Sequence, residues 1–364
     1  MKKKEKQTVI LLSLSHFFCH VAILTYPAIL ILIKDKFHVG YETLGTVAGI
    51  YLFLFGAGSL PVGFIADKIK KKHILRIYLI GMAFFSLTAA ISSNFYLFSL
   101  SVIFIGLIGS IYHPVGLSMM SFIGGDKLKA FAIHGIAGTL GVALSAGFAG
   151  ILGYFFGYAF PYLILGIIFT LLFILSYVFK LQIDAADITA YNAKHNEKEN
   201  RQLEEPVKTN IVKGFLKEFF HLNLVLIFFV EFLNGFVFQG VFSFLPAYVG
   251  TELKNYIFFH NQAAAAGGFF VTIALIVGVF FQYNSTKITK NYKSNKAFAF
   301  LVLVSGIFLL ISGFTHDILL FISVLAFSAF NFSINPISNL MITQNAHEKY
   351  RATAYGVFSL LVSA

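Results

Sequence analysis

Tryptophan is absent from this sequence, cysteine occurs once, at Cys19, and charged residues make up only 12%. A lone cysteine excludes a disulfide framework. Without Trp, any aromatic belt at a membrane surface must rest on Tyr and Phe. The shortage of charge stands against 58% hydrophobic residues and 45 Phe. A soluble protein of this length could not hide that much apolar surface, so the composition points to an integral membrane protein. No loop of the form G-x-x-x-x-G-K-[ST] occurs, which excludes that route to nucleotide-driven work. No nucleophile–base pair or metal cluster gathers in the polar loops, so a membrane enzyme is not expected.

What the sequence does contain is a series of long apolar runs. A helix needs about 20 apolar residues to cross roughly 30 Å of hydrocarbon. Such spans fall near 8–33, 44–65, 73–93, 95–122, 130–153, 158–180, 219–247, 263–284, 297–314 and 317–343. An eleventh starts at Ala352 with 13 residues left before Ala364. At 1.5 Å per residue it reaches about 20 Å, so the sequence is expected to be cut off within span 11, with a twelfth span missing. The opening MKKKEK is followed by an apolar run without a small-residue cleavage site, which reads as a retained first span.

Lys and Arg set the orientation. With a cytoplasmic N-terminus and strict alternation, 24 of the 27 fall inside; only Lys34, Lys36 and Lys254 fall outside. This distribution accounts for the net charge of +11 without any nucleic acid, and makes membrane lipid the expected partner. Leu181 to Lys217 mixes both signs and has no sustained apolar period. The expected organisation is therefore an N-terminal six-helix bundle over 1–180, a cytoplasmic linker over 181–218 and a C-terminal bundle over 219–364. The end of the linker, Ile211 to Phe220, reads as a short amphipathic helix on the membrane surface.

The two halves echo each other. His113-Pro114 returns 222 residues later as Asn335-Pro336. Twelve residues past each Pro stands an acid, a base, any residue, a base and Ala: Asp126 to Ala130, then Glu348 to Ala352. Membrane proteins built from two similar halves are mostly secondary transporters.

The loop between spans 2 and 3 reads Gly63-Phe64-Ile65-Ala66-Asp67-Lys68-Ile69-Lys70-Lys71-Lys72. Gly63 permits close helix approach at the membrane edge. Asp67 can accept from free backbone N–H groups at a neighbouring helix start, or hold a nearby cation. The stretch resembles the major facilitator signature G-x-x-x-D-[RK]-x-G-[RK]-[RK], departing from it at Lys70, where a second Gly is expected. The resemblance implies an all-α major facilitator fold of two pseudo-symmetric six-helix bundles. It also implies that Gly63, Asp67 and Lys68 latch the halves in one access state. The matching loop, Ser285 to Lys290, lacks the acid, so the latch is expected to be asymmetric. Three further pieces resemble the fosmidomycin-resistance branch of efflux proteins: Ser15 to His20 with Pro27, Tyr112-His113-Pro114, and Pro336 with Ala352 to Gly356. His20 stands where that branch has Asp.

Polar residues inside the spans fall three or four apart and so share helix faces. Span 1 offers Ser13, His16 and His20; span 4 offers Gly106, Ser110 and His113; span 7 offers Glu231, Asn234 and, more loosely, Gln239; span 10 offers Ser328, Asn331, Asn335 and Asn339. By resemblance, spans 1, 4, 7 and 10 line the central cavity. Span 5 adds His134, Gly138, Gly141 and Ser145, similar to the antiporter motif without its Pro; close helix packing explains the same glycines. An ionised carboxylate in mid-bilayer costs on the order of 2–4 kcal/mol, so Glu231 must face water, find a partner or take up a proton. Imidazole titrates near neutral pH. Glu231 and His20 are thus the expected proton-coupling residues. His16, His113, Asn234, Gln239, Asn331, Asn335 and Asn339 are the expected substrate contacts. His16 and His20 have metal-ligand spacing, but no third ligand is close in sequence, so neither a metal nor a cofactor is expected.

The expected function is proton-coupled export of a small organic solute by alternating access, from a monomer in the cell membrane. Proton-coupled uptake, or a membrane sensor that does not transport, would use the same architecture.

Overall fold

The computed structural model describes residues 1–181, 221–253, 263–289 and 292–363. Among these there is no strand. The helices are α1 (Lys3–Ala28), α2 (Leu30–Phe37), α3 (Tyr41–Ala57), α4 (Ser59–Ala66), α5 (Lys71–Ala90), α6 (Phe95–Gly109), α7 (Tyr112–Ser121), α8 (Lys127–Phe156) and α9 (Ala159–Val178). They continue with α10 (Leu222–Leu253), α11 (Ala263–Thr289), α12 (Ser294–Ser312), α13 (Asp317–Asn345) and α14 (Arg351–Ser363). Among the described residues, eight stretches are long and apolar enough to cross a membrane, α3–α4 and α6–α7 each counting as one. The described parts of α10 and α11 add shorter apolar helices, Leu222–Val237 and Phe269–Ser285. The linker, with the amphipathic helix expected at Ile211 to Phe220, lies outside the described residues.

Three spans read as continuous in the sequence are broken in the fold, and proline accounts for each break. Proline has no N–H, so the carbonyl four residues earlier loses its helical partner. Pro61 leaves Ala57 unpaired, and α3 gives way to α4 at Gly58. Pro114 leaves Ser110 unpaired, and α6 gives way to α7 there. Pro27 leaves Ile23 unpaired, and α1 ends one residue later, at Ala28. The Tyr51 hydroxyl takes over the freed Ile23 carbonyl at 3.1 Å, satisfying a buried group that would otherwise stand alone.

Within the first half, α1 packs on α8, α5 on α9 and α6, and α3 on α6. In the second half α13 packs on α11 and α12, and α10 on α11. The halves meet where α14 lies against α4 and α7, and where α8 lies against α11 and α13. Large apolar side chains such as Phe53 (71% exposed) and Leu310 (67%) cover the outside, as a lipid-facing surface requires.

The start of the chain is tied into its own half. Glu5 is only 4% exposed. Its Oε2 accepts from Lys2 N–H at 2.7 Å, and its Oε1 accepts from Gly124 and Gly125 N–H at 3.0 and 3.1 Å. One carboxylate thus joins the first turn of α1 to the hairpin between α7 and α8, with charge-assisted bonds.

Candidate functional site

A cavity of about 380 Å³ lies between the halves. One wall is imidazole. His16 and His20, one turn apart on α1, meet His113 of α7: His16 Nε2 lies 3.1 Å from His20 Nε2 and 3.3 Å from His113 Nε2. His16 Nδ1 lies 2.8 Å from the carbonyl oxygen of His134 on α8. A carbonyl only accepts, so in the neutral ring His16 holds its proton on Nδ1 and presents a lone pair at Nε2. The His134 ring stacks on His16 with centroids 4.1 Å apart. Its Nε2 is 2.9 Å from the Tyr112 hydroxyl, which itself donates to the Leu12 carbonyl. Tyr112 has spent its one proton, so His134 is the donor in that pair and its Nε2 carries hydrogen.

The facing wall comes from the second half. Asn331, Asn335 and Asn339, on one face of α13, line the cavity with Glu231 and Asn234 of α10. Asn331 Nδ2 donates to Asn234 Oδ1 at 2.8 Å. Glu231 is 1% exposed, Ser338 and Asn234 stand beside its carboxyl, and its Oε1 has no hydrogen-bond partner among the described residues. Asn339 Oδ1 is likewise buried and unpaired. Such groups carry a desolvation penalty unless a ligand, water or proton satisfies them.

Not every member of the expected stripes reaches this space. Ser13 and Ser328 are buried outside the lining, their hydroxyls without a partner among the described residues. Ser110 folds back onto the Leu107 carbonyl at 2.6 Å. Gly106 supports the α3–α6 crossing, where a Cβ would come within 3.0 Å of the Tyr51 backbone. Gly138 accommodates the His16 ring, and Gly141 lies against the Phe17 backbone. Gly138 and Gly141 therefore serve close packing of α8 on α1. The Gln239 side chain lies outside the described residues. His134 joins the cluster without standing in any of the polar stripes of spans 1, 4, 7 and 10; the signal for it in the sequence is its position at the head of the Gly138–Gly141 face.

At the lysine-rich end the halves touch through Asp67. Its Oδ1 accepts from Ala352 N–H at 2.9 Å; its Oδ2 accepts from Thr353 N–H at 2.8 Å and from the Thr353 hydroxyl. These are free amides at the start of α14, where an acceptor is favoured by unpaired N–H groups and by the helix dipole. Burial raises the Asp67 carboxyl above its ordinary range, while these donors and the nearby Lys71 charge pull it down. Gly63 makes the contact possible: a Cβ there would lie 2.7 Å from the Ala352 carbonyl oxygen and 2.8 Å from Thr353 Cα. Lys68 is exposed, and no bond from it joins the two halves among the described residues.

Comparison with known proteins agrees with this arrangement. The family model of the Major Facilitator Superfamily matches residues 12–364. No curated protein sequence matches the chain. Among solved structures, the E. coli fucose:proton symporter FucP superposes with a TM-score of 0.73 at 15% identity, covering 99% of this chain and 90% of that one. The proton:xylose symporter XylE gives 0.73 at 12% identity, covering 99% and 86%. The human organic anion transporter TETRAN gives 0.69 at 15%, covering 100% and 91%. At these identities the likeness shows the fold alone.

Proposed function

The chain belongs to the major facilitator superfamily, whose members are transporters rather than enzymes, and on that premise we propose that it exports a small organic solute in exchange for protons. The observation that carries the proton part is Glu231: a carboxyl sealed in the interior, with one oxygen unpaired, lining the same cavity as the imidazoles and asparagines. A carboxylate so placed is stabilised by taking up a proton, and loses that stabilisation when the cavity opens to water. His20, on the opposite wall, is the second proton carrier. His16, His113, Asn234, Asn331, Asn335 and Asn339 contact the solute, Asn339 offering its unpaired oxygen to a donor. Asp67, seated on α14 over Gly63, holds the lysine-rich end closed in one access state. The protein works as a monomer in the cell membrane with its N-terminus in the cytoplasm. The order of the halves is 1–180, linker, 219–364.

The cycle needs only the elements in view. Solute enters from the lysine-rich face with the Asp67 contact broken, the halves rock, the contact forms, and solute leaves at the other face. Glu231→Gln should abolish flux driven by a pH gradient while leaving the chain folded and able to bind solute. Flux in reconstituted vesicles reads this; pH-driven flux that persists unchanged overturns the proton role. Uptake with protons would use the same cavity. Comparing inverted with right-side-out vesicles separates the two directions, after a survival screen of a strain carrying the chain has named a solute.

A further inference from the structure

We propose that His16, His20 and His113 form a binding site for a divalent transition-metal cation inside the central cavity. The inference goes beyond the transport reading, which needs no metal. One ligand nitrogen from each ring lies within 4.8 Å of the others. The two measured separations, 3.1 and 3.3 Å between Nε2 atoms, suit a shared ion. Two ligands about 2.0–2.1 Å from a tetrahedral zinc-class ion stand roughly 3.3 Å apart.

The tautomer argument points the same way. His16 donates from Nδ1 to the His134 carbonyl, which leaves Nε2 as a bare lone pair aimed at its two neighbours. A metal-bound histidine is typically held by such a bond from its other nitrogen. His134 is not a ligand through Nε2, which faces the Tyr112 hydroxyl; it is a positioning residue that fixes the His16 ring by carbonyl and by stacking. An all-imidazole set favours borderline cations such as Zn²⁺, Co²⁺, Ni²⁺ or Cu²⁺ over Mg²⁺ or Ca²⁺. Three protein ligands leave a fourth position, and all three rings line the cavity. Water or a donor atom of the solute completes the set there, in the manner of an open site.

The test uses the purified full chain in detergent, stripped with a chelator and titrated with Co²⁺. One Co²⁺ per chain is expected, with the visible absorption of a four-coordinate nitrogen-rich site that Zn²⁺ displaces. His20→Gln and His113→Gln should each weaken binding at least about 100-fold, and the double variant should abolish it. His221→Gln and His347→Gln, at exposed positions, should change nothing. A metal-free melting curve like that of the wild type shows that the variants fold. Cu²⁺ on the wild type gives a readout independent of any variant: electron paramagnetic resonance should show coupling to imidazole nitrogens. Absence of saturable binding to the wild type, survival of binding in the double variant, or an oxygen-dominated Cu²⁺ signal would each overturn the site. None of these results bears on the Glu231 flux assay, so the two readings fail separately.

Discussion

Two helix starts that repeat one another in sequence are closed by acids from different places. At α8, Asp126 accepts from Lys129 N–H at 3.1 Å, a cap supplied from the same half. At α14 the equivalent acid, Glu348, pairs with Arg351 at 3.4 Å instead. The free amides of Ala352 and Thr353 go to Asp67 in the other half. Both starts have the same need, since the first N–H groups of any helix lack intrahelical partners. A local acceptor stabilises one helix; a borrowed acceptor joins two bodies and can be withdrawn when they part. The reverse crossing, α8 against α11, sets Gly135 beside Gln282, an amide with no hydrogen-bond partner for either polar atom among the described residues. The repeat unit is thus used once as a fixed corner and once as a clasp.

Substitutions can break this contrast. The largest effect is expected from Gly63→Leu. Its Cβ would press on backbone, 2.7 Å from the Ala352 oxygen, and backbone cannot swing aside. Overpacking of this kind costs on the order of 3 kcal/mol, roughly a 100-fold loss of the closed state. Crosslinking of cysteines introduced beside the contact reads that population, against a background in which Cys19 is buried. Undiminished crosslinking would mean that the clasp does not depend on close approach.

Asp67→Asn should act less strongly. One acceptor oxygen remains, but an NH₂ group replaces the other and faces donors on Thr353. Loss of charge-assisted bonds is worth about 2 kcal/mol, or roughly a 30-fold shift toward the open end. Transport should slow while solute binding in the cavity is kept; loss of binding would contradict a latch. The smallest effect is expected from Asp126→Ala. It removes a local cap worth about 1 kcal/mol, lowers the melting temperature by about 2 °C, and leaves crosslinking unchanged. If it opened the lysine-rich end as Asp67→Asn does, the distinction between corner and clasp would be lost.

Much of this was legible in the sequence because single residues carried it. Apolar runs placed the spans, since length and hydropathy decide what crosses hydrocarbon. Of the two uses open to Asp67, an acceptor for a neighbouring helix start or a holder of a nearby cation, the structure shows the first, on Ala352 and Thr353 N–H. Spacing placed Asn331, Asn335 and Asn339 on one wall because helical periodicity is local. Contacts set by the meeting of distant helices were not legible. His16 and His20 announce a pair, but the third nitrogen comes from His113, 97 positions away from His16, and the carbonyl that orients His16 lies still further along. Ser13, Ser110 and Ser328 share faces with cavity residues yet stop short of it, because a helix face is broader than the strip a cavity exposes. The breaks at Gly58 and Ser110 lay in Pro61 and Pro114, whose missing N–H groups do not interrupt an apolar run.

The carboxylate of Glu5 has a consequence of its own. By gripping Gly124 and Gly125, it fastens the amino end of the chain to a turn more than a hundred residues on. A fluorophore placed ahead of Lys2 would therefore ride with the entire first half as one lever, and its distance to a second dye beyond α12 would report the rocking angle directly.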